Sequence, residues 1–596
     1  MAQQVETATA GGASSSGELG GKKLGAFLCW AVVFADIGTS VYYVPGILFG
    51  QFGALAGFFV ILTLLAFVLL TLKYAEVSVR FPEGGGVVTV AARALNPWAG
   101  AVGGMFILVD YFLTSAISSL SGLQYFQDIF PGIGPFVLIL TLVVLVLLGV
   151  LNWWGIKESA VFSAVIAVAA LISDVIILAL IFIHVPLGQI GAIFSEMFGH
   201  ARSLTPITLV GGFAGAFLAF SGLESISQLS PVMRTPRRKT VGIALGIVAI
   251  TVGVTSPLLT VFSTVLLTQH QSLLINPVHN PDPNQFISLL GGAYGGPVLE
   301  IATAITASAL LIFASNTAII GAYHVFLALS RMNFFPALIE RRDDQRPHGR
   351  GTPYISIILA TAIPMVVLVA ARGQINTLGE LYAFGLLGAF SLTCISLDVI
   401  RFRERHGAAH VGASEAKDGY RDPRAAPPSP AVQRLQARLA PLTKIVWPHA
   451  RYYLGFLTTA LVVVAWATNL VSKPMATGFG GGLTILGLAI AVGHYRYKTR
   501  SAGVAPVYPM GILSRIANSM LVVLPSLEEH ASDVVQAAVE SAGTRRLVFL
   551  YLAENPPEAQ RAFEITEPYG NDPQAQRIFT AVSYTHLRAH ETGRNL

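Results

Sequence analysis

Charge is what this sequence has least of. Asp, Glu, Lys and Arg make up 12% of its 596 residues, about half the share of an ordinary soluble domain. Over half of the residues (53%) are hydrophobic and the mean hydropathy is +0.64, which excludes a water-soluble globule. Cysteine is scarcer still: Cys29 and Cys394 both lie in apolar runs, so they suit packing rather than a disulfide framework or a thiolate metal centre. The histidines are scattered without metal-ligand spacing, His324 alone in its apolar run, and nothing suggests hydrolytic catalysis. The chain reads as a non-enzyme. The first twenty residues are small and polar, without the pattern of a cleavable signal peptide, and read as a disordered cytoplasmic tail.

What is present is a series of long apolar segments. Twelve of them, near 24–49, 54–72, 99–127, 134–151, 160–184, 206–229, 240–268, 298–328, 353–371, 377–400, 452–471 and 477–495, have about the length needed to cross roughly 30 Å of hydrocarbon. The fold class is an all-α polytopic membrane protein of the cell membrane. The net charge of +6 and pI near 9.2 do not call for nucleic acid, because the basic residues alternate between loops. Lys22 and Lys23 precede the first segment; Lys73, Arg80 and Arg93 follow the second; Arg234, Arg237, Arg238 and Lys239 follow the sixth; Arg331, Arg341, Arg342, Arg346 and Arg350 follow the eighth. Residues 269–297 carry no Lys or Arg at all. That asymmetry places both termini in the cytoplasm.

The organisation along the chain follows. A tail at 1–20 precedes a ten-helix core at 21–401. A charged, Ala- and Pro-rich cytoplasmic linker occupies 402–447, and two further spans at 448–498 leave room for a homodimer. From 499 to 582 the period changes: short apolar runs at Met520–Leu524 and Leu547–Leu552 flank a helical pattern, a strand–helix–strand order that opens an α/β fold. This part resembles a universal-stress-protein domain, cut short and lacking a glycine-rich phosphate loop; a complete one would take an adenine nucleotide. The last residues, 583–596, continue neither pattern and read as a non-native tail.

An ionisable side chain deep in a span costs at least about 2.5–3.5 kcal/mol on insertion scales, so each one asks for a reason. Asp36, Asp110 and Glu224 stand out; Asp174 and Asp398 read as packing or interface residues. In FADIGTSVYYVPG, Asp36 is followed by Gly38, Thr39 and Ser40, and in AFSGLES, Ser221 and Gly222 precede Glu224. Interruptions at Gly38 and Gly222, five segments apart and each beside a carboxylate, point to an inverted-repeat transporter with its site at the membrane midplane. A glycine in a membrane helix more often serves close packing; the pairing of the two lowers the weight of that reading. In the third segment Asp110, Thr114 and Ser118 fall at i, i+4 and i+8 on one helical stripe. They are hard oxygen ligands suited to a cation, unless the hydroxyls merely bond back to their own helix.

These residues carry a resemblance. Asp36 with Thr39-Ser40-Val41 and Tyr43, FPEGGG at 81–86, LVDYFLT at 108–114, SGLES at 221–225 and LYAFG at 381–385 resemble the amino acid–polyamine–organocation superfamily, and more closely the KimA-type potassium importers. The resemblance covers roughly residues 20–500 and implies a LeuT-like 5+5 inverted repeat with two extra helices, plus the partial C-terminal α/β domain. It implies potassium ligands at Asp36, Tyr43, Asp110, Thr114, Ser118, Ser221, Glu224 and Tyr382, and regulation of the C-terminal domain by a cyclic dinucleotide. Ser221 stands where the KimA-type pattern has threonine, so the hydroxyl survives without its methyl; Tyr42 and Pro45 replace smaller residues. FPEGGG lacks the lysine and the strand–helix context of a nucleotide loop and reads as part of an inner gate, with Arg80 and Glu83 as a pair.

Two transport readings compete. One is a potassium importer coupled to protons, with no cofactor beyond the transported K+ and H+; the other is an amino-acid or polyamine permease. Up to three carboxylates in the site repel an α-carboxylate and attract a cation, which leaves a polyamine as the serious rival. A sensor that binds without transporting would leave a full set of transport features idle. Protons and potassium would compete for the same carboxylates, and Glu224 is a candidate to carry the proton.

Overall fold

The long apolar runs form helices because, in hydrocarbon, a helix satisfies its backbone groups within one segment. Caps sharpen several starts: the Asn96 side chain accepts from Ala99 N at 2.9 Å and the Thr205 side chain from Thr208 N at 3.2 Å, each followed by proline at the first helical position. The computed structural model describes residues 23–82, 84, 86–155, 160–342, 351–406, 447–502, 519–524 and 546–551, with Val534, Ala537, Ala538 and Ser541 between the last two. The 1–20 tail, nearly all of the 402–447 linker, Glu83 and the 583–596 tail lie outside the described residues.

In chain order the helices are α1 (Ala26–Ile37), α2 (Ser40–Phe52), α3 (Ala56–Arg80), α4 (Gly86–Ala94), α5 (Pro97–Ile129), α6 (Val137–Trp153), α7 (Ala160–His184) and α8 (Leu187–Ala201). Then come α9 (Pro206–Ala216), α10 (Ser225–Gln228), α11 (Arg237–Leu266), α12 (Phe286–Arg331), α13 (Tyr354–Ala370), α14 (Ile375–Arg405), α15 (Trp447–Ser472) and α16 (Pro474–Ala502). Helix α12 turns at Gly296, whose φ of 69° precedes Pro297.

Among the described residues, ten helical stretches are long and apolar enough to cross a membrane. They differ from the twelve predicted segments in two places. Residues Ala26–Arg80 run as one stretch of 55 residues, because only the short turns at 38–39 and 53–55 separate α1, α2 and α3. Helix α13, with 17 residues, occupies the ninth predicted segment but is shorter than a full span.

Residues 23–325 and 353–488 form one compact unit, which holds the candidate site. The second unit takes in residues 326–352 and those from 489 onward. Within it Phe334 stacks on Tyr495, and β1 (Ser519–Leu524) pairs in parallel with β2 (Arg546–Tyr551), Met520 opposite Leu547. Parallel pairing requires a crossover connection, in keeping with the strand–helix–strand order of the sequence; the other residues of the expected α/β domain lie almost entirely outside the described ones.

The second apolar segment extends further than its hydropathy suggests. Helix α3 continues to Arg80, so Lys73 and Arg80 are helical residues rather than loop residues, and Lys73 is buried. The reason is a set of partners. Lys73 Nζ lies 2.8 Å from Asp398, and Glu76 is shared by Arg80, Arg401 and Arg451, while Arg80 also bonds Glu404 at 2.7 Å. This network joins α3, α14 and α15 and gives Asp398 a role as counter-ion rather than as packing; Thr459 Oγ1 donates to it as well. Buried charges of this kind are tolerated only when paired and hydrogen-bonded.

Close helix contact near the site depends on glycine. A Cβ built on Gly385 of α14 would sit 2.7 Å from the Asp110 amide nitrogen and 2.8 Å from the Phe106 carbonyl oxygen of α5. Gly385→Val is therefore expected to destabilise the protein by roughly 1–3 kcal/mol through overpacking, read as a lower unfolding temperature in detergent micelles. Gly242→Ala, with nothing within 4 Å of the added carbon, is the control and should leave that temperature unchanged or slightly raised.

Candidate cation site

The site lies where the first and sixth apolar segments pass one another. The two interruptions are unlike. Between α1 and α2, Gly38 and Thr39 keep right-handed helical dihedrals (φ −64° for both), so the chain tightens rather than unwinds. Thr39 N and Val41 N bond to carbonyls three residues back, Asp36 O and Gly38 O, each at 3.2 Å. The hydroxyls of Thr39 and Ser40 cover the Asp36 and Ile37 carbonyls at 2.6 and 2.7 Å. The unwound backbone expected at Gly38 is thus a tight turn, because neighbouring hydroxyls supply the bonds that unwinding would have lost.

The sixth segment is fully broken. Helix α9 ends at Ala216, a 3-10 turn covers Phe217–Phe220, Ser221 is extended (ψ 141°) and Gly222 takes φ 98°. That φ suits glycine alone. Space makes the same demand: a Cβ on Gly222 would lie 2.7 Å from Ile37 N and 2.9 Å from Asp36 Cγ. The breaks also interlock through Ser40 Oγ, which donates to Ala219 O at 2.7 Å. Phe67 of α3 stacks on Phe220 at 4.3 Å. At the Leu24 end, Leu24 N donates to Val232 O and Arg234 N to Leu24 O, both at 2.8 Å, so the start of one segment is bound to the end of the other.

Around this crossing the candidate residues gather. Asp36, Asp110 and Glu224 lie near enough to feel one another's charge. Ser225 faces the Asp36 carboxyl, and Tyr43 faces Asp36, with Asp110 and Glu224 further off. The Tyr382 hydroxyl bridges Thr114 Oγ1, at 2.5 Å, and Ser221 Oγ, tying α14, α5 and the broken segment together. Thr114 also bonds back to Asp110 O at 3.0 Å, the local bond that the alternative reading of that hydroxyl called for. Ser118 is buried and makes no such back-bond; its hydroxyl has no hydrogen-bond partner among the described residues.

The charges are the least satisfied part. Both carboxylate oxygens of Asp110 and Oε2 of Glu224 are buried without a hydrogen-bond partner among the described residues, although Tyr382 and Glu224 face Asp110. No Lys or Arg of the described ion pairs reaches them. Buried carboxylates demand a compensating positive charge or a proton. Among the described residues no three His, Cys, Asp or Glu side chains converge closely enough to chelate one metal ion. The carboxylates are neighbours around a mixed set of hydroxyls, an all-oxygen donor set.

The sequence missed several members. Ser225 ends the SGLES motif but was not singled out. Tyr111, next to Asp110, accepts from Gln228 Nε2 of α10 and feels all three carboxylates. The Tyr74 hydroxyl, buried without a hydrogen-bond partner among the described residues, lies near Glu224. No periodicity marks these residues, since the helices that bring them together are distant in sequence. Of the FPEGGG loop, Gly84 (φ 81°) packs within reach of Pro231 at the end of the broken segment.

The amino acid permease family profile matches residues 24–469, three quarters of the chain. Among characterised relatives, the potassium transporter KimA of Bacillus subtilis is 23% identical over 326 residues, 54% of this chain and 51% of KimA; the match thus spans about half of that relative's length. The low-affinity putrescine importer PlaP of Escherichia coli is 26% identical over 371 residues, 60% of this chain and 77% of PlaP. The vacuolar cationic amino acid transporter 4 of Arabidopsis thaliana is 24% identical over 473 residues, 74% of this chain and 71% of that protein.

Tyr382→Phe keeps the ring but removes the bond held by the Ser221 hydroxyl and leaves Thr114 only its back-bond to Asp110 O. The expected cost is about 1–3 kcal/mol of stability, seen as a lower unfolding temperature of the purified protein. A variant as stable as the parent would mean that the bridge holds nothing together.

Proposed function

The chain belongs to the amino acid permease family, and from that membership we propose that it is a secondary active transporter importing potassium together with protons by alternating access. The observation that carries this reading is the trio Asp36, Asp110 and Glu224, gathered at one crossing with Asp110 and Glu224 buried and Asp36 partly buried, and with no basic partner in any ion pair among the described residues. An amino-acid carrier offers its substrate carboxylate the amide end of a broken helix. Here the Asp36 carboxyl lies against the Gly222 backbone and puts negative charge in that place. A dehydrated monovalent cation, held by carboxylates and by the hydroxyls of Tyr43, Thr114, Ser221 and Tyr382, answers that charge; a neutral or acidic amino acid does not.

A polyamine is the second reading, supported by the likeness to PlaP, which extends over more of that relative than the likeness to KimA does over KimA. A diammonium chain needs an elongated cavity and at least two separated carboxylates, whereas potassium needs one compact cage. Uptake by a bacterial strain lacking its own potassium importers, with putrescine as competitor, distinguishes them.

Asp36→Asn keeps size and hydrogen bonding but removes a full charge. Its loss should cost about 1.5–3 kcal/mol of cation binding, a roughly ten- to hundredfold rise in the half-saturating potassium concentration. Wild-type affinity at normal expression would make Asp36 scaffolding and put the cation elsewhere.

The distribution of basic residues further supports cytoplasmic termini, with the 269–297 loop outside. A cysteine in place of Asn280, in a Cys29→Ala/Cys394→Ala background, should then react with an impermeant thiol reagent in intact cells. Labelling only after permeabilisation would reverse this orientation.

A further inference from the structure

A further carboxylate is buried in the membrane region outside the ion-pair network, and the cation site does not use it. Asp174 lies on α7 with none of its surface exposed. Its Oδ1 is 3.1 Å from the Tyr42 hydroxyl, and its Oδ2 has no hydrogen-bond partner among the described residues. No ion pair involves Asp174 among the described residues, and the titratable groups facing it are Tyr42 of α2 and Tyr125 of α5. Tyr125 is also faced by Asp128 and Asp282.

The surroundings are built rather than incidental. Ala164, Ala167 and Ala170 bury the same face of α7 as Asp174, small residues that let this helix approach α1 closely. The Tyr125 hydroxyl donates to the Tyr42 carbonyl at 2.8 Å, and the two rings meet edge to face at 5.7 Å. Tyr42 is thus held at ring, carbonyl and hydroxyl, with the hydroxyl aimed at Asp174. Tyr42 immediately precedes Tyr43, which faces the cation site from the same helix.

We propose that Asp174 is the proton-carrying residue of the transport cycle, at a site separate from the cation's. This rests on the reading of the chain as a proton-coupled cation importer. The carboxyl form is neutral and sits against Tyr42 with its proton on Oδ2. Release of that proton to water leaves a bare carboxylate with one hydroxyl for company. At membrane depth this favours separation of α7 from α2 and entry of water. Uptake of a proton from the other side restores the neutral carboxyl and the contact. Because α2 begins at the tight turn beside Asp36, loading at α7 and loading at the cation site bias the same helix.

The test has two arms. In purified full-length protein, infrared difference spectra across a pH titration report protonated buried carboxyls without any need for transport. Asp174→Asn should remove one titrating carboxyl band, and Tyr42→Phe, which keeps the acid, should displace that band's midpoint by about 0.5–1 pH unit. In proteoliposomes, Asp174→Asn should bind the accumulated cation, potassium or putrescine, within about twofold of wild type. An imposed pH gradient should no longer drive its accumulation. A band unchanged in Asp174→Asn, or gradient-driven accumulation at the wild-type level, overturns the proposal. If wild type accumulates putrescine and not potassium, the substrate reading falls while both arms still decide the role of Asp174. Should Asp174→Asn fail to fold, the displaced band in Tyr42→Phe decides: no displacement overturns the assignment.

Discussion

The structure depends on one close crossing. The backbone at Gly222 lies against Asp36 and Ile37 with no room for a side-chain carbon, and Ser40 bonds across to Ala219. Two interrupted helices can approach this closely only if one supplies a residue without a Cβ at positive φ and the other covers its own carbonyls with hydroxyls. Once the crossing is made, Asp36 and Glu224 are neighbours, and α5 and α14 complete the surroundings through Asp110 and the Tyr382 bridge. Gly385 serves α5 and α14 as Gly222 serves the breaks, by removing the atom that would hold them apart.

The protein sorts its buried acids into two kinds. Glu76 is surrounded by the guanidiniums of Arg80, Arg401 and Arg451, and Asp398 by Lys73, Arg401 and Thr459; these are fixed charges that fasten α3, α14 and α15 together. Asp36, Asp110, Glu224 and Asp174 have tyrosines and serines for company instead. A carboxylate locked to arginine cannot exchange its partner during a cycle. One faced by neutral hydroxyls is free to accept a cation or a proton and give it up again, which is what the proposed function asks of it.

The sequence determined that the chain crosses a membrane, because scarcity of charge and runs of about twenty apolar residues leave no other solvent for it. It also identified Asp36, Asp110 and Glu224, since a charge inside an apolar run is conspicuous wherever the chain goes. It misread residues whose meaning depends on a distant partner. Lys73 and Asp398 look like segment ends until they are seen 2.8 Å apart. The character of each break was likewise a tertiary matter. Gly38 and Gly222 sit in similar local sequences, yet Gly38 stays helical and Gly222 turns to φ 98°. The difference lies in what each meets: Gly222 is pressed against another backbone, whereas Thr39 and Ser40 meet carbonyls they can bond. Composition fixes the solvent a chain requires, but the charge state and geometry of a buried group are set by neighbours hundreds of residues away, and only the folded structure brings those neighbours into contact.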